Sequence, residues 1–159
     1  MSPAGPGDLR FDPASTSSLG DLLALMREFY AVESLPFDEE IAKAALVPLL
    51  SDDAIGRAWL MRLGGATVGY AVLTLGWSLE FRGRTAFVDE LYVRESFRRR
   101  GIGGRTVDFL ETVARGLGVQ AVVLEVGREN AAARSLYEKR GFEDRGYLLV
   151  RKWATRPGD

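Results

Sequence analysis

Two adjacent acids and one run of arginine and glycine are the residues of this chain whose types and spacing point most directly to chemistry. Asp89 and Glu90 interrupt Phe87-Val88-Asp89-Glu90-Leu91-Tyr92-Val93, a half-buried strand in which a structural role does not require them. Burial near the centre of a sheet raises a carboxyl pKa and so makes a base able to take a proton near neutral pH. Beyond the strand, Arg98-Arg99-Arg100-Gly101-Ile102-Gly103-Gly104-Arg105 opens a helix. Glycines at a strand-to-helix turn let the backbone approach a ligand and leave the first helical N–H groups pointing outward at the positive end of the helix dipole. Such a turn cradles an anion, and arginines crowded beside it favour phosphate. The bland alternatives are a solvated basic turn for the loop and a salt-bridged pair for the acids, with Arg84 or Arg94 as partners.

Composition narrows the chemistry. The chain has 159 residues, enough for one domain with a sizeable core, here taken as residues 1–159 with flexible tails at 1–7 and 155–159. It contains neither cysteine nor histidine, so a thiol nucleophile, a histidine base, a catalytic triad and most zinc sites are excluded, and no metal is expected. Carboxylates, tyrosine, hydroxyls and backbone groups remain. A net charge of −1 argues against a nucleic-acid binder despite the arginine cluster. Met1 to Asp8 lacks the pattern of a signal peptide, and no run approaches the roughly 18 apolar residues of a membrane span, so a cytoplasmic protein without membrane contact is the expectation.

The elements that must position these residues follow from periodicity. Leu9 to Pro13 reads as a short strand, and Ser17 or Ser18 as the cap of a helix from Leu19, with Leu22, Leu23, Leu25, Met26, Phe29 and Tyr30 on one face, ending near Glu33 to Pro36. Phe37 to Glu40 starts a second helix whose end Pro48 should disturb. Arg57–Leu63 and Val68–Leu75 form a hairpin across Gly64-Gly65-Ala66, Trp77 to Phe81 extends its second strand, and Arg82 to Arg84 turns into a central strand from near Thr85. Val107, Leu110, Val113, Ala114 and Leu117 place the helix after the glycine loop, and Ala121 to Val126 is a strand covered on both faces. Asn130 caps a helix carrying Ala133, Leu136 and Tyr137, Gly141 suits its left-handed end, and Tyr147 to Trp153 reads as a last strand. Hairpins followed by one strand-helix-strand crossover give an α/β (α+β) fold: a mixed, mostly antiparallel sheet with helices on both faces.

Three phosphate-binding patterns compete for the loop. The dinucleotide fingerprint needs a third glycine where Thr106 stands, and a P-loop needs a glycine where Arg99 stands. Arg-x-x-Gly-x-Gly does fit, as Arg98, Gly101 and Gly103, and it resembles the acyl-CoA pyrophosphate loop of the GCN5-related N-acetyltransferase family. A second family motif follows in order, Asn130-x-x-Ala133-x-x-Leu136-Tyr137-Glu138-Lys139-x-Gly141-Phe142. The resemblance covers about residues 8–153 and implies a sheet splayed between its fourth and fifth strands with acetyl-CoA as cosubstrate in the gap.

By that resemblance the contacts to the cofactor fall to Leu91, Tyr92 and Val93, to Arg98, Arg100, Gly101, Ile102, Gly103, Gly104 and Arg105, and to Asn130, Ala133 and Tyr137. Arg99 points elsewhere or to the 3′-phosphate. A bulge is implied near Val93, and Tyr137 would protonate the departing thiolate, being a phenol still protonated at neutral pH. Direct attack by an amine suits a chain without cysteine or histidine. Asp89 or Glu90 would take the proton from the ammonium; alternation puts them on opposite faces, so only one faces the acceptor unless a bulge intervenes. Family members build the acceptor site from segments that here hold Tyr30, Glu33, Trp77 and Glu80, and acids with aromatics suit a cationic amine. The expectation is therefore an acetyl-CoA-dependent N-acetyltransferase acting on a primary amine of a small cationic molecule or a protein. The competing reading is a non-catalytic acyl-CoA-binding module, and a homodimer is left open.

Overall fold

In the computed structural model, residues 8–146 are described. The chain divides into two compact units, Met1–Glu125 and Val126–Asp159. The strand expected at Tyr147 to Trp153 and the tails at 1–7 and 155–159 lie outside the described residues.

The first unit is built on one sheet whose strands lie side by side in chain order: β1 (Leu9–Pro13), β2 (Gly56–Leu63), β3 (Ala66–Ser78), β4 (Gly83–Val93) and β5 (Ala121–Leu124). The first four are antiparallel and β4 pairs β5 in parallel. The parallel pair is joined by α3 (Ile102–Gly116), as a parallel connection requires a crossover. The β4–β5 ladder runs only from Thr85↔Ala121 to Val88↔Leu124. Past Val88, β4 has no β5 partner among the described residues, which is the expected splay.

Alternation along the strands sorts side chains between two helical layers. Tyr70, Val72 and Tyr92 pack with Leu22, Leu25 and Met26 of α1 (Leu19–Val32) and with Ala42 and Leu46 of α2 (Glu39–Ser51). Trp59, Met61, Ala71, Leu73 and Val88 pack on the other face with Ile102, Leu110 and Ala114 of α3. Helices therefore cover both faces.

Three local expectations need correction. The helix does begin at Leu19, but the capping side chain is Ser15: its Oγ accepts from the Ser17 amide at 3.3 Å within a 3₁₀ turn, Thr16–Ser18, while Ser18 makes no side-chain cap bond. Pro48 does not end α2, which continues to Ser51. A proline removes one helical hydrogen bond, and here the packing of Leu46, Leu49 and Leu50 holds the turn in place. The β3–β4 turn lies earlier than expected: β3 ends at Ser78 rather than Phe81, and Gly83 and Arg84 already belong to β4, paired as Ser78↔Gly83 and Trp77↔Arg84.

Close approach of β3 to β4 requires a glycine at one position. Gly69 stands opposite Val93, and a Cβ there would collide with the Tyr92 carbonyl oxygen and lie 3.2 Å from Met61 Sδ. Gly69→Ala is expected to cost about 1–3 kcal/mol of stability, the range for overpacking that forces the backbone to shift. Urea unfolding would measure it, and an unchanged midpoint would show that the two strands part freely.

Candidate active site

The ladder between β3 and β4 carries one extra residue. Val72 pairs with Glu90 and the next β3 residue, Leu73, pairs with Val88, so Asp89 is left over as a bulge. The bulge sits four residues before the position near Val93 that the resemblance implied. Its physical reason is the packing on either side: Val88 belongs to the α3 layer and Tyr92 to the α1 layer, and even spacing would put both on one face. The extra residue switches the parity, so that Glu90 points with Tyr92 toward α1.

Glu90 is met there by two phenols. Tyr70, fully buried on β3, donates to Glu90 Oε1 at 3.0 Å, and the Tyr30 phenol of α1 lies near enough to act on the carboxylate. Burial pushes the Glu90 carboxyl up, the two phenols oppose that push, and the charge of Asp89 adds to it. Burial is the largest of these effects, so the net direction is upward. Both phenols are themselves pushed up by burial and by the Glu90 charge, and so keep their protons. Asp89 is solvent-exposed at the bulge; crowding raises its carboxyl too, but water screens it more than Glu90.

A second acid, Glu28 of α1, has the opposite character. Arg94 Nε and one terminal nitrogen reach the two Glu28 oxygens at 2.9 and 2.8 Å, the other terminal nitrogen donates to the Thr67 carbonyl at 2.9 Å, and Tyr92 OH donates to Glu28 at 3.3 Å. The guanidinium holds the Glu28 carboxyl below its usual range. This fork fixes α1 against the end of β4, along an open groove lined by Glu28, Tyr92, Arg94, Glu95, Ser96 and Phe97.

The glycine loop has the geometry of a ligand cradle. Gly101 is the N-cap of α3 at φ 75°, a left-handed conformation that favours glycine, and no side chain caps the helix. Arg99 is also left-handed, at φ 64°. The arginines differ. Arg98 turns back, donating from Nε to the Val93 carbonyl at 3.0 Å with its guanidinium 5.9 Å from the centre of the Tyr92 ring. Arg100 lies 5.3 Å from the Phe97 ring centre. Arg99 and Arg100 are exposed, Arg105 and Gly103 half-buried, and Ile102 and Gly104 buried. Leu91 is half-buried on the part of β4 that β5 leaves unpaired.

In the second unit, α4 (Ala131–Glu138) begins as expected: Asn130 Oδ1 accepts from the Ala133 amide at 3.2 Å. Gly141 closes it at φ 86°, and the Tyr137 ring lies 5.7 Å from that of Phe142. Burial pushes the Tyr137 hydroxyl up.

The residues expected around the acceptor do not all gather in the first unit. Tyr30 reaches Glu90 and meets Phe37 edge-on at 5.5 Å. Glu33 is exposed at the C-cap of α1. Trp77, 73% exposed, pairs with Arg84 five ladder positions from Val72, or roughly 17 Å along the strand from Glu90's partner. Glu80 lies exposed in the hairpin turn beyond it. Tyr70 carries no motif in the sequence. Its signal was slight, one tyrosine inside an apolar strand, and it gains meaning only from the register that places it beside Glu90.

The acetyltransferase (GNAT) family model matches residues 21–142. The chain belongs to this family. An IAA acetyltransferase from Azospirillum brasilense is 32% identical over 90 residues, 57% of this chain and 56% of that relative's own length. A thialysine N-epsilon-acetyltransferase from Bos taurus is 26% identical over 144 residues, 82% of each chain. The crystal structure of an integron cassette protein from the mobile metagenome of Cole Harbour Salt Marsh superposes with a TM-score of 0.81 at 31% identity, covering 95% of this chain and 93% of that one. The mixed sheet described above is the GNAT fold of such neighbours. No helix among the described residues is long and apolar enough to cross a membrane.

The Glu28–Arg94 fork predicts a pH-dependent stability. A carboxyl lowered on folding stabilises the fold above its unfolded pKa, about 4.3, and that contribution disappears as pH falls through the lower folded value. Glu28→Gln is expected to lower Tm at pH 7, with the gap narrowing once pH falls below the unfolded value and closing only below the lower folded value, read by thermal unfolding. A gap that stays equal across that range would mean that the fork acts through shape and not charge.

Proposed function

We propose that this chain is an acetyl-CoA-dependent N-acetyltransferase that moves the acetyl group directly to a primary amine of a small cationic molecule or a protein. The observation that carries the reading is Glu90: a bulge turns it onto two phenols, and burial raises its carboxyl beside the stretch of β4 that lacks a β5 partner. The glycine-led start of α3, whose N-cap Gly101 makes no side-chain cap bond, suits the pyrophosphate of the cosubstrate. Bound acetyl-CoA supplies the thioester whose acetyl group is transferred. Leu91, Tyr92 and Val93 lie along the stretch of β4 toward which the pantetheine arm would run, and Asn130 and Ala133 open the helix that bears Tyr137.

Glu90 takes the proton that the acceptor ammonium must lose, directly or through a water. The freed amine forms its C–N bond at the thioester carbonyl carbon as the C–S bond breaks. Tyr137 gives its proton to the departing sulfur and is reprotonated by the second proton that the nitrogen sheds. Burial keeps Tyr137 protonated and so a donor. Tyr30 borders the acceptor, and Asp89 adds negative charge that favours a cation.

Glu90→Gln is expected to depress kcat/KM most near neutral pH and least above about pH 10, where an ordinary amine loses its proton unaided. Asp89→Asn, altering an exposed carboxyl, should cost less. Release of free CoA across pH on a panel of amines measures both, and identical, pH-independent losses would assign the pair to structure or binding.

Tyr137→Phe keeps the ring and removes the proton donor. It should lower kcat about tenfold or more and leave acetyl-CoA affinity unchanged, an order of magnitude typical of a lost general acid. Unchanged kcat in single-turnover measurements would remove Tyr137 from the proton path.

A further inference from the structure

We infer that Tyr70 is a positioning residue for the reaction, forming with Tyr30 a two-phenol clamp that holds the Glu90 carboxylate ionised and aimed. The inference rests on the reading of Glu90 as the base. It starts from a choice that packing alone does not explain. Tyr70 has no exposed surface and touches Phe29 and Tyr92 edge-on or tilted, at 6.3 and 6.2 Å between ring centres. A phenylalanine would fill the same space and leave no hydroxyl to satisfy. A buried hydroxyl needs a partner, and this one has Glu90 Oε1 at 3.0 Å.

Backbone geometry makes the pairing obligatory. Tyr70 opposes Tyr92, and Val72, two residues along the same face of β3, opposes Glu90. The phenol therefore reaches the carboxylate along the diagonal of one antiparallel ladder, a rigid part of the fold. Tyr30 approaches from α1, so the two donors come from different elements. A carboxylate offers about four lone-pair sites, and the two phenols leave others for a water or the acceptor ammonium.

The clamp also solves a problem of charge. The titratable groups facing Glu90 are Tyr30 from α1, Tyr70 from β3 and Asp89 from its own strand; none of them is a cation. Burial and the Asp89 charge both drive Glu90 toward its neutral acid, which is useless as a base. Two neutral donors counter that drive without the strong downward pull of an arginine, and both keep their protons through the working range because their own ionisation is pushed up.

The test is the pH dependence of kcat/KM for Tyr70→Phe, with Tyr30→Phe as the second variant should the buried one fold poorly. Losing one donor is expected to move the acid limb up by about one pH unit, with the double variant shifted further and the plateau of Tyr70→Phe at high pH within a few-fold of the parent. Acetyl-CoA affinity should not change. A lower rate at every pH with the limb unmoved would make Tyr70 a packing residue only and overturn the clamp. Glu90→Gln separates the two levels of the argument. If its profile loses the acid limb while Tyr70→Phe leaves that limb in place, the clamp alone fails; if Glu90→Gln keeps the limb, the base assignment fails and the clamp falls with it.

Discussion

An antiparallel ladder that gains one residue on one strand must either slip or bulge, and in this sheet the bulge at Asp89 decides where the chemistry lies. Without it Val88, Glu90 and Tyr92 would share a face, and either Val88 would leave the α3 layer or Tyr92 the α1 layer. Burying Val88 on one side and Tyr92 on the other is worth more than the paired backbone position that Asp89 gives up. A fully buried aliphatic or aromatic side chain contributes about 1.5–3 kcal/mol, against about 0.5–1.5 for one net hydrogen bond. Hydrophobic sorting thus fixes the bulge, and the bulge brings Glu90 under α1.

Two further constraints keep that arrangement in register. Gly69 lets β3 lie against the end of β4, and the Arg94 fork ties the same end to α1 through Glu28 and to β3 through the Thr67 carbonyl. The fork is only partly buried, with about a third of each side chain exposed, so its value lies more in geometry than in raw strength. Tyr92 belongs to both sets, packing in the α1 layer and donating to Glu28, and the Arg98 guanidinium rests near its ring. The start of the glycine loop is in this way joined to the layer that holds Glu90.

Much of this was legible in the sequence where the signal is local. The Asn130 cap and the left-handed Gly141 each depend on residues within one turn and appear as read; the strand-helix-strand crossover forms too, but its second strand ends at Leu124 rather than Val126 and leaves Val123 exposed instead of covered. The two ordered motifs are enough to point to the family. What escaped depends on distant pairing. The bulge follows from how β3 and β4 bury their two faces, which no window on β4 alone contains. Arg94 and Glu28 are 66 residues apart, and Tyr70 was hidden inside an apolar strand. Pro48 misled because a local rule, proline as helix breaker, met a turn whose leucines were already committed to the core. Trp77 and Glu80 were placed at the acceptor by the family resemblance of their segment, and the ladder sets Trp77 five positions along β3 from the partner of Glu90.

Two glutamates, Glu28 on α1 and Glu90 on the strand beneath it, show how environment divides labour between like residues. Glu28 meets a guanidinium in a two-pronged contact, and its carboxyl is held down; it is a fixed anion over the working range. Glu90 meets two neutral phenols in a buried setting, and its carboxyl is pushed up. Pairs of acids driven apart in this way are how one fold separates a structural charge from a group that trades protons. A cation beside Glu90 would have stabilised its charge and spoiled it as a base, while bare burial would have left it protonated. Phenols lie between these extremes: they donate hydrogen bonds without bringing positive charge, and burial keeps them from ionising. The composition makes this solution natural, since a chain without histidine has to reach the neutral range by raising a carboxylate and then restraining the rise.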